Sequence, residues 1–145
     1  MRTRRMNLIG GQTTWVVVLE TGDEAIDCLK RFADEEGLDS ANFSAIGAFQ
    51  RAELAFFDWE QKEYLPIPVN EQVEVASLTG DIVTGPDGEP VVHVHAVLGR
   101  RDGSALAGHL LSGVVRPTLE LVLTETPGEL RKRMDAESGV ALISV

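Results

Sequence analysis

The run Pro90–Leu111, PVVHVHAVLGRRDGSALAGHLL, contains every histidine of the chain: His93, His95 and His109. Two apolar arms rich in valine, alanine and leucine flank the turn-forming RRDGS of Arg100–Ser104, so the run reads as a β-hairpin. Side chains alternate faces along a strand, which sends His93 and His95 out of the same face with attachment points about 6.5 Å apart, twice the rise per residue. Two imidazoles leaning together from such positions can each place a nitrogen about 2.0–2.1 Å from one metal ion.

The third histidine depends on the turn. A two-residue loop of Asp102 and Gly103 pairs Arg101 with Ser104, sets His109 opposite Ala96 and sends its ring to the wrong face. A three-residue loop, Arg101–Gly103, with Gly103 in the left-handed position of a type I turn plus bulge, pairs Arg100 with Ser104 and sets His109 across from His95. That second register also matches Leu98 with Leu106, Ala96 with Gly108 and Val94 with Leu110 on the opposite face. The coherent apolar surface makes it the preferred one. Three neutral imidazoles suit zinc, with iron, nickel or copper also compatible. Three protein ligands leave a fourth position for water or an anion, the pattern of open rather than closed zinc sites. The competing reading of the same residues is a hydrogen-bonded histidine cluster without metal.

Outward from the hairpin, the chain alternates like a sheet protein. TTWVVVLET (Thr13–Thr21) is a strand, followed by a helix in which Thr21 and Glu24 have capping-box spacing, Ile26, Leu29, Phe32 and Ala33 recur at helical intervals, and Gly37 is the stop. NFSAIGAFQ, AELAFFDW, QVEVASLTGDIVT, PVVHVHAVLG, SALAGHLLSG and VVRPTLELVLTET then read as strands too closely spaced for crossover helices. The expectation is a single α+β domain, a mainly antiparallel β-sheet with flanking helices. Pro117, inside a strand-like run, predicts an edge position or a bulge. The organisation reads as an N-terminal tail over 1–12, the domain over 13–127 and a C-terminal extension over 128–145. In that extension ELRKRMDAE reads as a short helix and GVALISV as a last strand or a partner-docking segment.

With 145 residues, 43% of them hydrophobic and 25% charged, the chain has the composition of a globular domain. Its net charge of −10, from 13 basic and 23 acidic residues, repels phosphate backbones. Arg2, Arg4 and Arg5, and the run Arg131, Lys132, Arg133, read as solvated ends. No apolar run approaches the ~20 residues of a membrane span, and MRTRRMNLIGG lacks a signal-peptide core. A single cysteine, Cys28, suits helix packing in a cytoplasmic protein. Walker, GxSxG and HExxH motifs are missing. Glu53, Glu74, Asp81 and Glu120 lie in or beside predicted strands as candidate partners of the histidines or as bases.

The segments SAIGAFQRAELAFFD, EVASLTGDI and PVVHVHAVLGRRDGSALAGHLLSGVVRPTLELVLTE, in that order and spacing, resemble the plants-and-prokaryotes-conserved (PPC) domain family over roughly Thr14–Pro127. The resemblance implies a compact domain with a mainly antiparallel sheet, a homotrimer and, in prokaryotic members, a zinc ion held by three histidines. Residue by residue those are His93, His95 and His109. AGHL at Ala107–Leu110 departs from the double glycine often found before the third histidine, and Asp81 stands where asparagine or threonine is common. Plant relatives add an AT-hook with an RGRP core, which RTRR here lacks. The expected function is therefore a trimeric zinc-binding domain whose open site accepts a small molecule or anion. The alternatives are a DNA-associated regulator, using Arg2, Arg4 and Arg5 as an arm, and a zinc-dependent hydrolase or lyase.

Overall fold

A computed structural model describes residues 1–7 and 12–145; the stretch 8–11 of the expected N-terminal tail lies outside them. The elements are β1 (Arg2–Asn7), β2 (Thr13–Glu20), α1 (Ala25–Glu36), β3 (Ser40–Asp58), β4 (Glu63–Val69), β5 (Val73–Thr84), β6 (Pro90–Gly99), β7 (Ala105–Glu125), β8 (Arg131–Met134) and β9 (Ala141–Ser144). The sheet runs β1-β2-β7-β3-β5-β8-β9, with β4 on β3 and β6 joined to both β5 and β7. Every pairing is antiparallel except a single parallel contact between β5 and β8 at Thr84 and Arg131. The expected α+β architecture is present, with one helix among the described residues.

Because β3, β5, β6 and β7 pair in a closed circuit, the sheet curls on itself and gains an inner and an outer side. Irregularities in the ladders around Gly47, Phe49 and Leu54 bend β3 as it passes between β5 and β7. The inner side holds Phe43, Phe49, Leu54, Leu78, Ile82, Val94 and Leu98, each under 5% exposed. Side chains of this size contribute about 1.5–3 kcal/mol each when fully buried. Trp15 of β2 meets Phe32 of α1 edge to face at 5.2 Å, fastening the helix to the sheet.

Two pairs of sequence segments look different once folded. NFSAIGAFQ and AELAFFDW fuse into β3, and SALAGHLLSG and VVRPTLELVLTET fuse into β7. The irregularity expected at Pro117 does occur: the β3–β7 ladder jumps from Gly47–Leu119 to Phe49–Val115, and the bulge lets one strand continue where two were predicted. EYLPIPV, which the sequence reading left unassigned, forms β4; its prolines are tolerated because, among the described residues, only β3 pairs with it. Arg2–Asn7 is not loose but zipped onto β2, from Arg2–Val18 to Asn7–Thr13.

The helix start also differs. Thr21 is not the cap: its Oγ1 donates to Pro117 O at 3.1 Å, and a tight turn through Gly22 delays the helix. The cap is Glu24, whose Oε2 accepts from Asp27 N at 2.8 Å while Oε1 accepts from Gly113 N at 2.7 Å. One carboxylate thus begins α1 and ties it to β7. The stop at Gly37 holds, in the left-handed conformation with φ 63°. The C-terminal segment ELRKRMDAE contributes β8 rather than a helix, and β9 returns antiparallel against it.

Candidate metal centre

The turn geometry settles where the third histidine goes. Arg100 N donates to Ser104 O at 2.8 Å, Gly103 N donates to Arg100 O at 3.0 Å, and Gly103 has φ 83°. The loop therefore has three residues, with glycine where a left-handed backbone is required. Asp102 Oδ1 accepts from both Ser104 N at 2.9 Å and Ser104 Oγ at 2.6 Å, locking the turn. The ladder pairs Leu98 with Leu106, Ala96 with Gly108 and His95 with His109. It ends there: Leu110 pairs with Leu54 of β3 instead of Val94, because β7 leaves β6 to follow β3. Gly108 permits that crossing, since a Cβ at this position would lie 2.7 Å from Ala55 O.

On the outer side the three imidazoles gather. Ring centroids are 5.2 Å apart for His93 and His95, 5.2 Å for His93 and His109, and 5.5 Å for His95 and His109. Each ring offers one nitrogen, and these atoms lie within 4.8 Å of one another. Bonds of 2.0–2.1 Å in a tetrahedron need nitrogens about 3.4 Å apart, so small ring rotations suffice to reach a shared ion. His95 is exposed, His93 and His109 are partly covered, and the cluster opens to one side.

The surroundings of His109 and His95 favour uncharged rings. Burial pushes His109 down to about 4, reinforced by repulsion from His93, His95 and Lys132. Burial, with His93 alongside, also lowers His95. Neutral imidazoles keep the lone pairs that a cation needs. His109 Nδ1 is buried without a hydrogen-bond partner, a cost that a bond to a cation or a polar ligand would remove. Tyr64 of β4 lies against the His109 ring, centroid to centroid 4.6 Å and tilted 31°, limiting how far that ring can turn.

Of the four carboxylates singled out from sequence, Asp81 reaches the cluster. β5 sets it directly opposite His93, with Oδ2 at 3.4 Å from His93 Nδ1. Burial pushes the Asp81 carboxyl up, but His93 and Lys132 outweigh it and leave it below the ordinary range. Asp81 Oδ1 lies 3.0 Å from Lys132 Nζ; this is an ion pair by distance, without the alignment of a hydrogen bond. Glu74 and Glu120 line a separate cavity with Ile46, Gly47 and Pro117, and Glu53 sits opposite Ser112 and Pro68. None of these three joins the histidine cluster.

Two participants escaped the sequence reading. Tyr64 belonged to the unassigned strand. Lys132 looked like part of a solvated basic end, yet its side chain is 4% exposed. Its neighbours Arg131 and Arg133 are exposed, as strand alternation requires, but three consecutive basic residues carry no sign of which one is buried. Of the N-terminal arginines, Arg2 Nε pairs with Glu20 Oε1 at 2.9 Å and Arg5 lies over the Trp15 ring at 5.5 Å. Among the described residues no helix is long and apolar enough to cross a membrane.

The sequence profile of the Plants and Prokaryotes Conserved (PCC) domain matches residues 8–127. No curated protein matches the chain. Among solved structures, a metal-containing protein from Archaeoglobus fulgidus is 31% identical, with a TM-score of 0.85 over 91% of this chain and 93% of its own. A plant- and prokaryote-conserved (PPC) protein from Pyrococcus horikoshii is 29% identical, with a TM-score of 0.85 over 99% and 95%. A candidate DNA-binding protein from Ralstonia eutropha JMP134 is 28% identical, with a TM-score of 0.86 over 97% and 95%.

Proposed function

The chain belongs to the Plants and Prokaryotes Conserved domain family, and from that premise we propose that it is a cytoplasmic, trimeric metal-binding domain whose three histidines hold zinc and leave one coordination position for a small ligand. The observation that carries this reading is the convergence of His93, His95 and His109 to within 4.8 Å at their nitrogen donors. All-imidazole ligation by uncharged rings suits zinc among divalent metals, and a similar protein is described as metal-containing. Bound there, zinc would supply Lewis acidity toward a small anion or water at the open position. The nearest carboxylate, Asp81, is committed to His93 and Lys132. The arrangement therefore supports holding a ligand more directly than proton transfer.

Trimer formation rests on a different feature. The register aligns Val16, Val122 and Ser44 across β2, β7 and β3, and next to them Val18, Glu120 and Ile46. Val122 is 52% and Ile46 64% exposed on this outer side, apolar side chains beside Ser44 and Glu120 that association would cover. A DNA arm finds less support, because Arg2 and Arg5 are held by Glu20 and Trp15.

Metal analysis of the purified chain tests the central claim. One zinc per chain is expected, and none after His93, His95 and His109 are all replaced by alanine; retained stoichiometry in the triple variant overturns it. Light scattering should give three times the 15.7 kDa chain mass, and the mass of a single chain contradicts assembly.

A further inference from the structure

Lys132 lies in β8, past the residues 8–127 that match the family domain. β8 reaches the rest of the sheet through a single backbone pairing, Thr84–Arg131, three residues along β5 from Asp81. The next residue, Lys132, turns toward Asp81 and is buried against it. Ammonium groups are seldom buried unless paired, so a short strand with so little backbone pairing is held where it is partly by this contact.

Asp81 in turn has a separate duty for each oxygen. Oδ1 faces Lys132 Nζ at 3.0 Å and Oδ2 faces His93 Nδ1 at 3.4 Å. A carboxylate opposite Nδ1 requires the ring proton to sit there, which leaves the Nε2 lone pair free for a cation. The 3.4 Å separation is longer than an ordinary hydrogen bond, so Asp81 aligns the ring without locking it.

Resting on the zinc reading above, we propose that Lys132 is a positioning residue: it fixes Asp81 against His93, so that docking of the β8–β9 hairpin and occupation of the histidine site stabilise each other. The linkage is reciprocal by thermodynamic necessity. Removing Lys132 frees Asp81 to turn off the ring; conversely, a His93 ring held by zinc would favour the orientation that faces Asp81, and with it the docked hairpin. The opposite sign would follow if Lys132 acted only as a nearby positive charge, because deleting it would then relieve repulsion and raise affinity for a cation.

The test uses the full chain, zinc as the probe and competition with a chromophoric chelator. Lys132→Met is expected to weaken zinc binding about tenfold, the lower end of what changes behind a metal-bound histidine produce, at unchanged stoichiometry. Zinc should slow amide exchange at 131–134 and 141–144 in the native chain but not in Lys132→Met, and Lys132→Arg should restore most of both effects. Nitrogen-15 spectra of the metal-free chains should show His93 protonated at Nδ1 in the native chain, and a mixture of tautomers in Lys132→Met. Asp81→Asn should match the Lys132→Met loss, and the double variant should lose no more than either alone. Unchanged or increased affinity in Lys132→Met, equal zinc protection of the hairpin, or additive losses in the double variant would each overturn the proposal. A native chain that takes up zinc yet ignores Lys132→Met sinks this inference alone, whereas a native chain that takes up no zinc removes both it and the metal reading.

Discussion

The β6–β7 and β8–β9 hairpins close with the same chemistry and differ in almost everything else. In the first, Asp102 accepts from Ser104 N and Oγ at 2.9 and 2.6 Å, with Gly103 at φ 83°. In the second, Asp135 accepts from Ser138 N and Oγ at 2.7 and 2.6 Å, with Gly139 at φ 76°. Beyond the turns, β6 is flanked by β5 and β7 is flanked by β2 and β3, whereas among the described residues β8 touches β5 at one pair and β9 pairs with β8 alone. Turn chemistry chooses a hairpin; the strands outside it decide whether that hairpin is framework or appendage. The framework hairpin carries two elements of the histidine site, and the appendage reaches the same site through one side chain.

The largest expected effect tests the framework role directly. His109→Ala removes a ligand rather than its support, so zinc affinity should fall by more than the 10–100-fold typical of outer-shell changes. Chelator competition measures it. A loss no greater than that of Lys132→Met would erase the distinction between the two hairpins.

That distinction was only half legible in the sequence. The first hairpin announced itself because RRDGS lies between two long runs of period two, and because a three-residue loop alone placed His109 beside His95 while keeping leucines opposite leucines. Those cues are local, and the structure keeps them. Arg131–Met134 is only four residues, too short for a periodic signal to declare itself, and its charged, helix-favouring composition pointed the other way. The partner that overrides that preference is Asp81, far away along the chain. Long-range ion pairs leave no spacing rule behind. Thr21 failed as a cap for a related reason: Glu24 was drawn to Gly113, a contact made by the folded sheet.

A second, somewhat smaller effect comes from packing in the framework hairpin. Gly108→Val would bring side-chain atoms against Ala55 O, where even a Cβ sits 2.7 Å away, and backbone on both sides cannot yield cheaply. A loss of about 2–4 kcal/mol in urea unfolding is expected, at the upper end of overpacking costs. Gly139→Val, with nothing within 4 Å, should show no such clash and only turn strain.

Acid should also separate the hairpins in the metal-free chain. The folded protein keeps His109 uncharged down to about 4, while the unfolded chain protonates it near 6.5. Between those values the unfolded state binds more protons, so stability is full above pH 6.5 and falls as pH drops toward 4. The partial exposure of His109 holds this term below about 3 kcal/mol. Asp135, lowered below 3.8 by its Ser138 hydrogen bonds, still carries its charge in that window. Unfolding midpoints measured from pH 7 to 4.5 should therefore decline in the native chain and much less in His109→Ala.

The smallest effect is the sharpest comparison, because it applies one perturbation to both turns. Gly103→Ala and Gly139→Ala each force a side chain into left-handed backbone with open space around it, at a local cost of about 1 kcal/mol. If the β6–β7 hairpin is framework, that cost lowers global stability in full, since the strands cannot separate without opening the closed circuit of β3, β5, β6 and β7. If β8–β9 is an appendage, the same cost is absorbed by local opening. The global midpoint then barely moves, while amides at 131–134 and 141–144 exchange roughly five times faster, the factor that about 1 kcal/mol gives in an opening equilibrium. Zinc should recover part of that protection in Gly139→Ala, because Lys132 and Asp81 are intact there. Equal global losses from the two substitutions would mean that the C-terminal hairpin folds as one unit with the sheet, and that its single backbone pairing understates how firmly the buried lysine holds it.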